Sequence, residues 1–587
     1  MAKAGLPAKK YSGLAASPSP AQSSAMRFAS LRRLYFALAL LAPLSASARD
    51  PWFPDGPVQP QLPHGVMLPP KVRPPQFPLK SARTLVSDAE IAQARANYAH
   101  YPAAKAGAEP SMVEARYWAE WTDEALRNVV TTAEVPRAVE LCNAGCPIHG
   151  RKIYEGINGS SLPWIVDPKH PFQVKCPIGG ETYPSNDYAA YYHSGFKDRS
   201  SLTGPYVDDG WGWTAPDGNK YWFVAHANHL VWQTGGLDGR CIINGIRSLS
   251  RAYLLTGDRL FAHKAAVLFR RVAEVYPNMN HEQQSRFGEL MASQGTRYTG
   301  KIVNLIWESY QISPSLAEAY DDIWETIDPD TALQKFYGQT GEQIRACIEA
   351  NFFEEAIDAY FNDLMRGNYG THQRALLMLA VVRQHGDNQR YVDEILHRST
   401  GHLLRIGLDF AFYNSVYRDG APHESPDYNF VWTRTFAEAA PLLKKLGYDI
   451  TLLPRLKRMF DEPLDYVTIG QLSAPLGDSS NRYAPLIRKD SLTYQIGLQL
   501  YHDPRYAAFL TGIGATGDKS FGSFEALFSP ALPDLPRTAN HPEPARPEPV
   551  ERVEGPPKVP ARALAPQPSR IFSGYGSAIL NNPADTR

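Results

Sequence analysis

Residues 242–275 read IINGIRSLSRAYLLTGDRLFAHKAAVLFRRVAEV, and this stretch decides the fold class. Ile242, Ile246, Leu249 and Tyr253 step by four, three and four residues, and Phe261, Ala265, Leu268, Val272 and Val275 repeat the rhythm after a break at Thr256-Gly257-Asp258. That spacing lines one face of a helix with apolar side chains. Glycine at the break suits the left-handed residue that ends one helix, and aspartate suits the cap that begins the next. The same punctuation recurs at His385-Gly386-Asp387, more loosely at Gly447-Tyr448-Asp449, and at Asp503-Pro504, where proline fits a first helical turn. Together these breaks predict a mainly α protein of antiparallel helix pairs joined by short turns, from about residue 85 to 515, as in helical toroids and solenoids.

Outward from this region the composition changes. Thirty residues from Pro51 to Lys80 hold ten prolines, and forty from Ala531 to Arg570 hold eleven. Neither density is compatible with a helix or a central strand. The first predicts an extended arm over residues 49–84, and the second a linker over 516–570. Before the arm, Met26 to Ala48 has Arg27, Arg32 and Arg33, an apolar run Leu34 to Leu44, and Ala46-Ser47-Ala48 ahead of Arg49. This is the pattern of a secretory signal peptide within an N-terminal extension, 1–48. Its apolar run is too short to span a bilayer. The expectation is a periplasmic or secreted mature chain with no membrane span.

The 587 residues carry 60 basic and 60 acidic side chains. Zero net charge gives no global field for nucleic acid, which is disfavoured as a partner. With 43% hydrophobic residues the chain has ample material for a large core. Five cysteines suit an oxidising compartment without forming a dense disulfide framework. Cys142 and Cys146 sit in LCNAGCPIHG and Cys176 in VKCPIGG, so that with His149 they offer a donor set for a structural zinc ion. One disulfide with a spare thiol, or ordinary surface turns, fits the same spacing.

Tyr183 to Trp232 interrupts the helical rhythm with a β-containing segment crowded with Tyr, Trp, Gly and Asp. Tyr206, Trp211 and Trp213 are candidates for stacking on sugar rings, which have an apolar face and a rim of hydroxyls. The alternative is that these aromatics fill a local core. Two further stretches carry chemistry. Arg366 to Gln373, RGNYGTHQ, places His372 at a helix N-terminus, where the dipole favours the neutral, proton-accepting imidazole. Tyr417 to Tyr428, YRDGAPHESPDY, gathers Arg418, His423, Glu424 and Tyr428 in one turn-rich loop.

Asn368 and His372 before a helix, Tyr428 of the DG..ESP.Y loop 56 residues after His372, and then Leu476-Gly477-Asp478-Ser479 resemble the heparinase II/III-like polysaccharide lyases. The resemblance implies an incomplete (α/α) toroid followed by a C-terminal β-sandwich, and β-elimination at a uronic acid in an anionic polysaccharide. No cofactor is required for that chemistry. It also implies roles: Asn368 as a neutraliser of the sugar carboxylate, Tyr428 as general acid and on some substrates base, and His372 as base or second neutraliser. Tyrosine titrates near ~10, so Tyr428 acting as base needs a cationic neighbour, for which Arg418 and His423 are local candidates. Gln373 and Glu424 are further candidates for substrate contact. Residues 571–587 resemble the first strand of that sandwich, so the expectation is a stub that is disordered or pairs with an existing edge.

Two other functions fit the composition. A glycoside hydrolase on a helical toroid needs paired carboxylates, for which Asp208, Asp209, Asp419, Glu424 and Asp427 are available. A non-catalytic carbohydrate-binding protein needs only the aromatics. No run of Arg and Lys suited to sulfate groups is visible, so alginate or another uronate polymer fits as well as heparin.

Overall fold

The computed structural model describes residues 62, 65–533, 570–572 and 577–579, apart from 139–144, 156–162, 233–239, 287–299, 304–306, 363, 366, 385, 400–404, 466, 469–471 and 474–490. The predicted signal peptide, Cys142, Leu476-Gly477-Asp478-Ser479 and most of the second proline-rich stretch lie outside the described residues. The chain is mostly helical. Its principal helices are α1 (Pro102–Ala119), α2 (Ile242–Thr256), α3 (Arg259–Val275), α4 (Ser313–Ile327), α5 (Thr371–Arg383), α6 (Pro426–Lys445), α7 (Pro454–Asp465), α8 (Ser491–Tyr501) and α9 (Pro504–Gly512).

The predicted breaks do what their chemistry suggests. Gly257 adopts φ +74° and its N–H closes α2 onto the Tyr253 carbonyl, while the Asp258 carboxylate caps α3 by accepting from the Leu260 N–H at 2.9 Å. Asp387, Asp449 and Asp503 likewise cap the helical turns that follow them. Two breaks also use a left-handed residue other than glycine: Gln384 ends α5 at φ +52°, followed by Gly386 at φ +78°, and His502 lies between α8 and α9 at φ +51°. Each pair buries its apolar stripes against the next. α1 packs on α2, α2 on α3 and α4, α4 on α5, α5 on α6, α6 on α7 and α8, and α8 on α9. Residues beyond 515 return to the start of this row. Gln495 of α8 donates to the Ser520 carbonyl at 2.8 Å, the Phe521 ring lies 5.0 Å from Tyr101, and the Asn97 amide donates to the Leu527 carbonyl at 2.7 Å. One apolar core accordingly runs from Ala94 to Leu527.

The two ends of the row differ. Connections leaving α2, α4, α5 and α8 are tight: Gly257-Asp258, Asp328 to Asp330, Gln384 to Asp387 and His502-Asp503. Connections entering α4, α5, α6 and α8 are longer, and they begin after Val275, Phe361, Asn414 and Asp465. The contacts between helices show that α4, α5 and α6 run in the same direction. Ser309 meets Thr371, and the Tyr310 carbonyl, further along, accepts from Arg374. Tyr369 stacks near Trp432, and Arg374, further along, pairs with Glu438. The longer connections into these three helices therefore gather at one end.

The proline-rich arm is sewn into the helices by buried charge. The Lys80 ammonium pairs with Asp321 at 2.7 Å, both side chains fully buried. Asp321 also accepts the Thr84 and Leu85 N–H groups, and Glu349 accepts the Lys80 N–H. Arg383, at the last turn of α5, pairs with Glu349 and Glu354 at 2.7 Å each and donates to the carbonyls of Phe77 and Pro78. Proline has no N–H to satisfy, but its carbonyls and its neighbours' N–H groups need partners when buried, and these ions supply them.

Residues 145–232 hold two smaller apolar cores and four two-residue strands, paired Val174–Lys175 with Thr182–Tyr183 and Trp213–Thr214 with Lys220–Tyr221. At the C-terminus, Arg570–Phe572 and Ser577–Ile579 pair antiparallel with each other, in place of the single strand expected there. Among the described residues no helix is long and apolar enough to cross a membrane.

Lys80→Met leaves the Asp321 carboxylate buried without its cation, and the expected loss is about 3–5 kcal/mol. Arg116→Met, at an exposed pair with Glu109, is expected to cost less than about 1 kcal/mol. Urea denaturation of the two variants checks the contrast.

Candidate functional site

The two chemistry-bearing loops meet through Trp432. Its ring lies 4.5 Å from Tyr369 and 5.2 Å, edge-on, from His423. Tyr428 is one turn before Trp432 on the same face of α6, about 6 Å along the axis, and Asn368 precedes Tyr369. The spacing of the YRDGAPHESPDY loop follows from its turn: the Tyr417 N–H donates to the Ala421 carbonyl and the Gly420 N–H to the Tyr417 carbonyl. Gly420 sits at φ +101° against α7, where a Cβ would fall 2.3 Å from the Arg458 carbonyl oxygen. Ser425 and Pro426 then open α6, with proline in the first turn.

The sequence-selected residues fall into distinct settings. Asn368 and Tyr428 are half-buried, and His423, Arg418 and Glu424 are exposed. The Arg418 carbonyl accepts from Arg458, and the Glu424 N–H donates to Asn429. His372 is 1% exposed, on the first turn of α5, with its ring edge-on to Tyr360 at 4.9 Å. Gln373 has its amide engaged by backbone: its oxygen accepts from the Gly370 N–H at 2.9 Å and its NH2 donates to the Ile406 carbonyl at 3.1 Å. These bonds stabilise the start of α5. Tyr206 and Trp213 are half-buried: Tyr206 meets Tyr183 and Trp213 edge-on at 5.0 Å each, and Trp213 lies tilted against Tyr221 at 5.3 Å, so both border a local core. Trp211 is half-buried, and its backbone N–H donates to the Asp209 carboxylate at 3.2 Å. Asp208 is buried, and its carboxylate accepts the N–H groups of Gly210, Gly212 and Val224.

A buried polar seam near His372 had no local sequence signal. Glu308 opens the π-helical turn that leads into α4, a distortion common at functional positions. Its carboxylate accepts the N–H groups of Ile302 and Val303 at 2.9 and 3.0 Å and the Tyr276 hydroxyl at 3.4 Å. Burial pushes this carboxyl up to about 7, against the opposing pull of those N–H groups, Arg137 and Lys301. Arg137 is fully buried and donates to Gln284 and to the Lys301 carbonyl. His281, also fully buried, is held well below its ordinary value by burial, Arg137 and His229, so the ring is neutral. Ser309, next to Glu308, reaches Thr371 beside His372. The helix Phe223–Trp232 contributes the buried His226 and His229. The seam thus combines a fixed cation, the neutral imidazole of His281 and a carboxyl able to exchange a proton near neutral pH.

A second carboxyl under the loop behaves similarly. Burial, then the charges of Asp419 and Asp465, push Glu462 of α7 up to about 8. A concavity of about 610 Å³ lies elsewhere, between Asn128, His170, Asn186 and His193. It contains none of these groups. A separate cluster of Cys146, His149, Cys176 and Glu181 has the donor types of a metal site. No protein-family model matches this chain, and no curated protein matches it.

Because the folded-state value of Glu462 is raised, its contribution to stability is complete below its ordinary value of 4.5 and is lost as the pH rises through about 8. Glu308 acts in the same direction. The Tm of Glu462→Gln is therefore expected to vary less than that of the unaltered protein between pH 5 and 8.5, measured by calorimetry in matched buffers.

Proposed function

We propose that this chain is a secreted or periplasmic polysaccharide lyase, built on an incomplete (α/α) toroid, that cleaves a uronate-containing polysaccharide by β-elimination. The succession of helix contacts and the return of residues 518–529 to the first helices support the toroid. The observation that carries the function is the parallel register of α5 and α6, which brings the Asn368–His372 and His423–Tyr428 stretches to the same end, bridged by Trp432.

β-Elimination requires removing a proton beside the sugar carboxylate, which is far less acidic than any side-chain base. Neutralising that carboxylate stabilises the enolate that develops. The Asn368 amide and the His372 imidazole are suited to this, since donors in a desolvated site act without screening water. Arg137 adds a buried positive charge that acts on Glu308, whose neighbour Ser309 reaches Thr371. Tyr428 then protonates the departing glycosidic oxygen as general acid. On substrates whose proton and leaving group share a face it also serves as base, with Arg418 and His423 the local cationic candidates. His372 takes the proton on substrates of opposite geometry.

A glycoside hydrolase is the second reading, favoured by Glu308, whose raised value suits a general acid. Its paired carboxylate is harder to supply, because Asp208 is engaged by three backbone N–H groups. A lyase product carries a conjugated double bond that absorbs in the ultraviolet, and a hydrolase product does not.

On a panel of uronate polysaccharides, the unaltered chain is expected to generate this absorbance, and Tyr428→Phe to lower it at least about a hundredfold while circular dichroism and Tm stay unchanged. Full lyase activity in Tyr428→Phe overturns the assignment of the acid. Reducing ends formed without absorbance favour the hydrolase, and polysaccharide binding with no product favours a binding protein.

A further inference from the structure

We propose that Cys146, His149, Cys176 and Glu181 bind a structural zinc ion that joins the two loops of residues 145–183. The four donor atoms lie within 4.8 Å of one another. His149 Nδ1 is 3.5 Å from Cys146 Sγ, 3.5 Å from Cys176 Sγ and 3.6 Å from Glu181 Oε2. Around tetrahedral zinc, with bonds of about 2.3 Å to sulfur and about 2.0–2.1 Å to nitrogen or oxygen, neighbouring S···N and N···O donors stand about 3.4–3.6 Å apart. The three distances match the edges of such a tetrahedron.

The local backbone is arranged for the same purpose. Cys146-Pro147-Ile148-His149-Gly150 and Cys176-Pro177-Ile178-Gly179-Gly180 are two copies of one pattern. In each, the N–H groups two and three residues after the cysteine donate to its sulfur, which suits a thiolate: Ile148 and His149 to Cys146, Ile178 and Gly179 to Cys176. Each turn is closed by backbone, with the Cys146 and Gly150 N–H groups exchanging bonds and the Cys176 N–H donating to the Glu181 carbonyl at 2.8 Å. The Tyr183 hydroxyl lies 3.4 Å from Cys146 Sγ as an outer donor.

Two further observations point inward to a ligand. Glu181 Oε2 is a buried carboxylate oxygen with no hydrogen-bond partner among the described residues. At Gly179, a Cβ would fall 2.2 and 2.4 Å from the Glu181 oxygens and 2.4 Å from His149 Cε1. Only glycine leaves the carboxylate and the imidazole room to converge. The need for a cross-link is also physical. The core beneath this cluster comprises a handful of buried residues, among them Ile153, Trp164, Val174 and Phe223, and its strands are two residues long. So little ordered structure is marginal without a staple. Glu181 provides the fourth donor that the sequence pattern assigned to Cys142.

The test is metal analysis of the full chain, followed by removal of metal and titration with Co2+. One zinc per chain is expected, with tetrahedral d–d absorption and a thiolate-to-cobalt band on titration. Cys146→Ser and Cys176→Ser should lose both bands, Glu181→Gln should weaken Co2+ binding at least tenfold, and Cys142→Ala should leave it unchanged. Where the cysteine variants do not fold, Glu181→Gln and Gly179→Ala carry the test. A Cys146–Cys176 disulfide in the native chain, seen by mass spectrometry with no cobalt spectrum after reduction, overturns the proposal. Loss of metal in Cys142→Ala with none in Glu181→Gln overturns the assignment of the fourth ligand.

Discussion

Arg383 and Lys80 hold the structure in register. Both cations are buried, and each meets carboxylates on separate helical segments: Arg383 with Glu349 and Glu354, Lys80 with Asp321. Apolar surfaces slide at little cost, whereas a buried ion pair tolerates one geometry and penalises every other. The arm inserts its backbone into the same network, so a segment too rich in proline for regular structure is fixed as firmly as a helix. Arg383 also anchors the last turn of α5, whose first turn carries His372. A rigid helix transmits position along its axis, and the far end of the proposed cleft thus depends on the ion pairs that hold the arm.

This dependence explains the unequal ends of the helix row. Tight turns such as Gly257-Asp258 leave few residues free for anything but reversal. At the opposite end the connections are longer, and there the chain places Asn368, His423 and Tyr428 on loops and first helical turns. Functional groups on loops need a rigid floor, and Trp432 with Tyr369 provides one between α5 and α6. The buried seam of Arg137, His281 and Glu308 extends that polar character inward. Its pieces come from chain positions far apart, and each alone would be costly to bury. Together, Glu308 and Arg137 offset part of that cost for each other.

Much of the fold was legible in residues 242–275, because helix periodicity and caps are local. The capping aspartates 258, 387, 449 and 503 all served as expected. Gln384 and His502 did not announce themselves, since a left-handed residue other than glycine is selected by what surrounds it. The site was legible only in part. Gln373 was selected as a substrate contact, and a polar side chain three residues after the cap position is also the signature of a capping interaction, which its bond from the Gly370 N–H makes. Much of the aromatic segment packs into cores, as Tyr183, Tyr191 and Tyr221 show. Glu308 and Arg137 were missed because nothing within several residues of either marks it. The π-turn that aims Glu308 inward has no sequence rule to betray it.

The distribution of charge also bears on the proposed substrate. A polymer dense in sulfate calls for guanidinium groups free to form paired hydrogen bonds. Four arginines around the proposed cleft are already engaged, and Arg418 of the loop itself is exposed. Arg374 pairs with Glu438, Arg405 with Glu394, Arg455 donates to the carbonyls of Phe412 and Val416, and Arg458 to that of Arg418. Recruiting any of them would strip a partner from a buried or half-buried group. What faces outward at this end is the Arg418 guanidinium, the His423 imidazole and the Glu424 carboxylate, beside the half-buried Asn368 and Tyr428. Those groups suit a substrate whose charge is a single carboxylate per sugar, and the proposed lyase chemistry is better matched to an unsulfated uronate than to heparin.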